Sequence, residues 1–297
     1  MARDSFSSYH PIVNFTYFTL VILFAMVLMH PAALGISFLC AFFYASYLNG
    51  IKWLKRSLLY MLPMLLFTGL INPAFNHEGA TILAYFPNGN PLTLESIAYG
   101  ISAAFMFVSV ICWFSCYNKI MSSDKFIYLF GKIIPSLSLI LSMVLRFVPK
   151  FKSQLEAVSN AQKCIGRDIS SGGFFLRIRH GLRILSIMVT WSLENAVETA
   201  DSMKSRGYGL SGRTAFSVFN FDSRDRLALG AIIFAGLYVL AGGLWGALYY
   251  RYYPTIKYGA LNMYNISVFA AYAALCLIPL AINLWEDRKW KYLQSNI

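Results

Sequence analysis

Glu194, Glu198 and Asp201 stand four and three residues apart, a spacing that gathers three carboxylates on one face of a helix. Grouped acids at a membrane face can hold a cation or divide acid and base roles, as an integral membrane enzyme of lipid or isoprenoid metabolism would need. On an amphipathic helix the same spacing describes a solvated or cation-binding side, and nothing else in the sequence completes a catalytic set. The four histidines, His10, His30, His77 and His180, are scattered, with no HExxH pair. Cys40, Cys112, Cys116, Cys164 and Cys276 have neither CxxC nor zinc-ligand spacing and read as small buried residues. No GxxxxGK[ST] loop is present, so this chain is not expected to bind ATP through a phosphate loop. No catalytic residue, metal ligand or cofactor is therefore assigned.

Another chemistry is offered by DSMKSRGYGLSG, residues 201–212, where a helix-like run ends on Ser205-Arg206-Gly207. A glycine just past the last helical residue is an ordinary C-cap, and a cation in the last turn suits the helix dipole. The cap does not explain the length of loop that follows. An arginine on such a tip presents five donors in a rigid fork and suits a carboxylate in a partner's groove. Upstream, NAQKCIGRD at residues 160–168 ends a second amphipathic stretch on Gly166.

The elements that carry these tips belong to a membrane protein. The chain of 297 residues is 58% hydrophobic and 13% charged, where a soluble domain carries about 25% charge. Apolar runs at residues 12–29, 32–48, 57–71, 97–117, 227–249 and 264–285 predict about six transmembrane helices. The first run passes Met29 without a small-residue cleavage site, so no cleavable signal peptide is expected. Lys52, Lys55 and Arg56 follow the second run, and Arg288, Lys289 and Lys291 follow the last. Residues 118–225 hold 15 of the 25 Lys and Arg against eight acids, whereas residues 72–95 hold no Lys or Arg. Positive charge marks the cytoplasmic side. That rule puts both termini and residues 118–225 inside, with only Arg251 and Lys257 on the outer face.

The basic insert is too apolar for a free soluble domain. Residues 133–145 form a short apolar run, as in a buried or interfacial helix, and Pro149 is expected to bend or restart it. Phe151, Leu155 and Val158 then keep helical spacing toward Gly166. After Gly172-Gly173 a second long helix starts near Phe174, with an apolar stripe of Leu185, Val189, Leu193, Ala196, Ala200 and Met203, and stops at Gly207. The fold class is thus all-α: a polytopic integral membrane protein with a cytoplasmic or interfacial domain of long amphipathic helices. Transmembrane helices occupy residues 1–117 and 226–297, and residues 118–225 form the inserted domain. Hardly any ionisable residue falls in the six runs, which argues against a proton-coupled carrier or channel. Lysines and arginines spread along amphipathic helices suit the lipid bilayer and an acidic protein groove, and no nucleic acid is expected.

Four stretches, in order and spacing, resemble the transmembrane T component of energy-coupling factor transporters, the prokaryotic vitamin and metal-ion importers. LINPAFNHEGATIL at residues 70–83 is similar to that family's asparagine-proline loop, and LRFVPKFKSQLEAVSNAQ at residues 145–162 to its lead-in to the first coupling helix. NAQKCIGRD and ADSMKSRGYG, at residues 160–168 and 200–209, are similar to its paired Ala-Arg-Gly coupling motifs. The resemblance implies a non-catalytic subunit of a prokaryotic plasma (inner) membrane. Such a subunit holds a membrane S component, which binds the substrate, and seats two coupling tips in grooves of two ABC ATPase subunits, where ATP is bound. Carried over by position, the second motif is Ser205-Arg206-Gly207 and the first is Cys164-Ile165-Gly166. Ile165 cannot form a salt bridge, which leaves two readings: an apolar contact at the first tip, or Arg167 acting one residue later. Either asymmetry implies two non-identical ATPases.

Overall fold

A computed structural model describes residues 4–85, 89–131, 134–168, 170, 172–210, 219–259 and 262–295. Nine helices carry those residues: α1 (Pro11–Val27), α2 (Pro31–Asn49), α3 (Ile51–Phe75), α4 (Leu94–Ile120), α5 (Ser123–Gly131), α6 (Pro135–Cys164), α7 (Phe174–Ser205), α8 (Ser223–Leu244) and α9 (Met263–Ser295). Two short antiparallel hairpins, β1 (Ile82–Tyr85) with β2 (Pro91–Thr93) and β3 (Tyr250–Arg251) with β4 (Lys257–Tyr258), fall between helices. The all-α membrane fold is the one expected. Stretches in α2, α3, α4, α8 and α9 are long and apolar enough to cross a bilayer. The first expected span is shorter, because Pro11 fixes its start and the chain leaves the helix at Leu28, so α1 has only 17 residues.

The chain divides into two compact units, residues 1–126 with 219–297 and residues 127–218. In the first, α1, α2, α4, α8 and α9 surround a core that includes Tyr17, Tyr44, Trp113, Ile232 and Tyr272. Two of its buried polar groups show the pairing inside the bundle that a medium without water favours. Trp113 Nε1 donates to Ser37 Oγ at 3.0 Å and Tyr17 Oη to the Cys276 carbonyl at 3.0 Å. Small residues let helices approach closely. A Cβ on Gly100 would sit 2.6 Å from the Gly69 carbonyl of α3, and one on Gly242 of α8 would sit 2.6 Å from Val268 of α9. Glycine at these two places sets how near the backbones come. The four cysteines in the spans, Cys40, Cys112, Cys116 and Cys276, are buried, as their apolar surroundings predict, whereas Cys164 is exposed.

In the second unit α6 and α7 pack against one another, with the Phe151 and Trp191 rings 5.1 Å apart and Lys150 Nζ 5.4 Å from the Trp191 ring. Lys150 Nζ also bonds to Asn195 Oδ1. One expectation needs correction. Of the two outcomes expected at Pro149, a bend or a restart, the restart does not occur, for α6 runs unbroken through it for 30 residues. The ring removes one backbone donor, and the long helix on either side absorbs that loss. The apolar stripe expected on α7 lies on a helix, and its residues Leu185, Val189 and Leu193 are exposed. The buried face of α7 turns on Ile184 and Met188 instead.

Candidate functional site

α6 and α7 end in the same backbone motif. At the end of α7 the Gly207 N–H donates to the Lys204 carbonyl at 3.0 Å and the Tyr208 N–H to the Met203 carbonyl at 3.0 Å. At the end of α6 the Gly166 N–H donates to the Lys163 carbonyl at 2.9 Å and the Arg167 N–H to the Gln162 carbonyl at 2.9 Å. Both are Schellman caps, which satisfy the last carbonyls and require a left-handed residue past the helix. Glycine supplies it, with φ of +76° at Gly166 and +79° at Gly207. The caps therefore register the tips. Ile165 holds the place in α6 that Arg206 holds in α7, Cys164 matches Ser205, and Arg167 matches Tyr208.

The two tips differ in what they present. Arg206 is exposed, and Ser205 folds its hydroxyl back onto the Asp201 carbonyl at 2.5 Å. Ile165 is 63% exposed. Cys164 is exposed beside it, and Arg167 is half-buried. Lys163 and Lys204 lie in the two last turns, where the dipole favours cations. Among the described residues the one ion pair is Arg224 with Glu286, so no carboxylate of the described chain lies within 4.0 Å of Arg206.

Arg206 and Gly207 line a groove of about 820 Å³ within this unit, together with Arg146, Lys150 and Glu198. The groove brings the second tip together with one of the three spaced acids. It includes neither Ser205 nor any of residues 164–167. Glu194 and Asp201 are exposed outside it. No set of three or more His, Cys, Asp or Glu among the described residues is placed to hold a metal ion. Ser211 and Gly212, the end of the glycine-rich exit, lie outside the described residues.

Sequence reasoning missed a polar centre in the first unit. Glu95, in the first turn of α4, is only 2% exposed. It accepts the Thr81 N–H at 3.2 Å and the Thr81 hydroxyl at 2.8 Å. Thr93 caps α4 at the Ser96 N–H and donates its hydroxyl to the Glu78 carbonyl at 2.8 Å. Tyr253 donates to Asn72 Oδ1 at 3.1 Å, and the Ala80 N–H donates to the Pro254 carbonyl at 3.0 Å. The loop after the Asn72-Pro73 pair is thus folded around a carboxylate. A glutamate just after a capping threonine, ahead of an apolar run, was the signal for it. His10 and His30 were also missed. Each precedes a proline, and each Nδ1 caps its helix, accepting from Ile12 N–H at 3.3 Å and Ala32 N–H at 3.2 Å.

Residues 9–216 match the family described as cobalt transport protein, CbiQ. The chain is similar to the energy-coupling factor transporter transmembrane protein EcfT of Lactobacillus helveticus, 35% identical over 101 residues that cover 34% of this chain and 36% of that protein. To the EcfT of Lactococcus lactis it is 37% identical over 98 residues, covering 33% and 37%. A longer alignment with the EcfT of Macrococcus caseolyticus, 26% identical over 239 residues, covers 76% of this chain and 88% of that protein. With the first two relatives the matched part is little more than a third of the relative's length.

Proposed function

The chain belongs to the cobalt transport protein family, CbiQ, and from that premise we propose that it is the membrane coupling subunit of an energy-coupling factor importer. In this reading the subunit catalyses nothing. It holds a membrane S component that binds a vitamin or a metal ion, and it passes on the motion of two ABC ATPase subunits, which bind the ATP. The tips of α6 and α7 are the ATPase contacts. Cys164, Ile165 and Gly166 form the first, with Arg167 beside them, and Ser205, Arg206 and Gly207 form the second. The orientation follows the positive-charge rule, with both termini and both tips in the cytoplasm of a prokaryotic cell.

The observation that carries the reading is the pair of Schellman-capped tips, in register, each lifting an exposed side chain off the end of a helix of 30 residues or more. An exposed guanidinium without a carboxylate partner in the described chain is suited to an acidic groove on another subunit. An exposed isoleucine at the equivalent place is suited to an apolar one. Unlike tips call for unlike grooves, which is the argument for two different ATPases.

Purification of the tagged chain from its native membrane in mild detergent, with the accompanying chains sequenced by mass spectrometry, tests this. Two chains that each contain a GxxxxGK[ST] loop are expected. Recovery of the intact chain with no nucleotide-binding protein would rule the reading out.

A further inference from the structure

A set of buried polar side chains in the first unit converges on one short segment, Asp4 to His10. Its middle, Phe6–Ser8, is a single 3-10 turn, and Phe6 is wholly buried, its ring 5.4 Å from that of Tyr17. The Phe6 N–H donates to Asn283 Oδ1 of α9 at 3.0 Å, and Asn283 Nδ2 donates to Asp4 Oδ1 at 2.7 Å. Lys125 of α5 is 7% exposed and donates to the Ser7 carbonyl at 2.5 Å and to the Ile120 carbonyl at 3.2 Å. Asn14, with its amide oriented to suit both neighbours, accepts from Lys125 Nζ at 2.9 Å and donates to the Phe6 carbonyl at 3.1 Å. An ammonium has three donors, and all three are satisfied.

The other end of the segment is held as firmly. The His10 N–H donates to Asp225 Oδ1 at 3.0 Å, while Asp225 Oδ2 accepts the Asp222 N–H at 3.1 Å and so closes the capping box of α8. Arg224 reaches Ser8 Oγ at 3.3 Å and lies 4.4 Å from the Tyr9 ring. The His10 and Phe221 rings meet at 5.1 Å.

Lys125 stands next to the place where the chain leaves the first unit, after Phe126, and Phe221 to Asp225 stand just past the place where it returns, at Phe219. Burying an ammonium and a carboxylate is expensive unless every bond is made. Here such groups hold a segment that grips both passages of the chain. We propose that residues 4–10 are a positioning clasp, which ties the exit through α5 and the return into α8 to α1 and α9. A push on the second unit is thereby delivered to the membrane bundle and not absorbed by two loose strands. Lys125 and Asp225 are its positioning residues. The inference rests on the coupling reading above, since it assigns a route for a motion that the ATPase partners would supply.

The test uses the native complex and ATP as the probe, and follows hydrogen exchange by mass spectrometry in α1 and α8. In the wild type, exchange there should differ between the ATP and ADP states. Lys125→Met should assemble and hydrolyse ATP at the wild-type rate, while that difference falls by about fivefold or more, the scale of a lost coupling energy. Arg224→Gln removes an exposed arm of the clasp, leaves the buried cluster intact, and should lower it by a smaller factor. A wild-type difference in assembled Lys125→Met overturns the clasp. If that variant does not assemble, Arg224→Gln decides, and an unreduced difference in it overturns the clasp equally. A wild-type chain that purifies without ATPases defeats the coupling reading instead, and this inference falls with it.

Discussion

Arg206 and Ile165 occupy one position of one motif, and the difference between them is chemical. Removing one member of a buried, hydrogen-bonded charge pair at an interface costs about 2–5 kcal/mol, part of it for the charge left behind. Arg206→Ala is therefore expected to weaken ATPase capture by at least tenfold while the chain still folds and inserts, because Gly207, not Arg206, makes the cap. Arg206→Lys should restore part of it, since an ammonium keeps the charge and loses the planar fork. Ile165→Ala exposes no charge and should be milder. Pull-down of the ATPases with the three variants measures the series, and Ile165→Ala weaker than Arg206→Ala would mean that the wrong tip carries the charge contact. This register could be read from sequence, because a glycine forced to positive φ announces itself beside a helical run. Glu95 and Lys125 could not. Each is buried by partners that lie far along the chain or across a loop, such as Ser7 for Lys125 and Thr81 for Glu95, and spacing does not reveal such partners.

Helix boundaries were legible where a terminus is made locally. Gly173 and Gly207 bracket α7 as expected. Local signals left two outcomes open at Pro149, and a long amphipathic helix carries it in its interior with no restart. The histidine caps lie between these cases, and one of them has a shifted pKa. Burial holds the His30 imidazole below its usual value of 6.5. Its neutral Nδ1 accepts the Ala32 N–H and its ring packs 4.9 Å from that of Phe269. A histidine whose folded pKa is depressed contributes stability above pH 6.5, and that contribution is lost as pH falls through the folded value. A cap bond is worth about 1 kcal/mol, or roughly 2–4 °C in Tm for a chain of this size. The detergent-solubilised protein should therefore melt lower at pH 5 than at pH 7.5, by an amount that shrinks in His30→Asn, whose amide oxygen caps without titrating. Equal pH dependence in the two proteins would remove His30 from the account.

At the scale of the whole molecule, charge and apolarity point the same way without any contact being known. The spans follow from runs of apolar residues and were open to reading before any packing, while sidedness is an expectation drawn from where Lys and Arg accumulate. Hidden from that reading was how the bundle handles its polar groups, since Asn14 and Asn283 fall inside the first and last apolar runs and Lys125 and Asp225 inside the basic insert, and none shows its partners until the amino-terminal segment folds onto them. The sidedness can be tested with a native probe. Cys164 is exposed at the first tip, and the other four cysteines are buried. A membrane-impermeant maleimide applied to intact cells should leave Cys164 unmodified and react with it only after permeabilisation. Asn90 is exposed in the loop that lacks Lys and Arg, so a cysteine placed by Asn90→Cys should react in intact cells. Reaction of both positions from the same side would place the α6 tip and the Glu95 loop on one face. The charge rule would then have failed, and the tip could not reach a cytoplasmic ATPase.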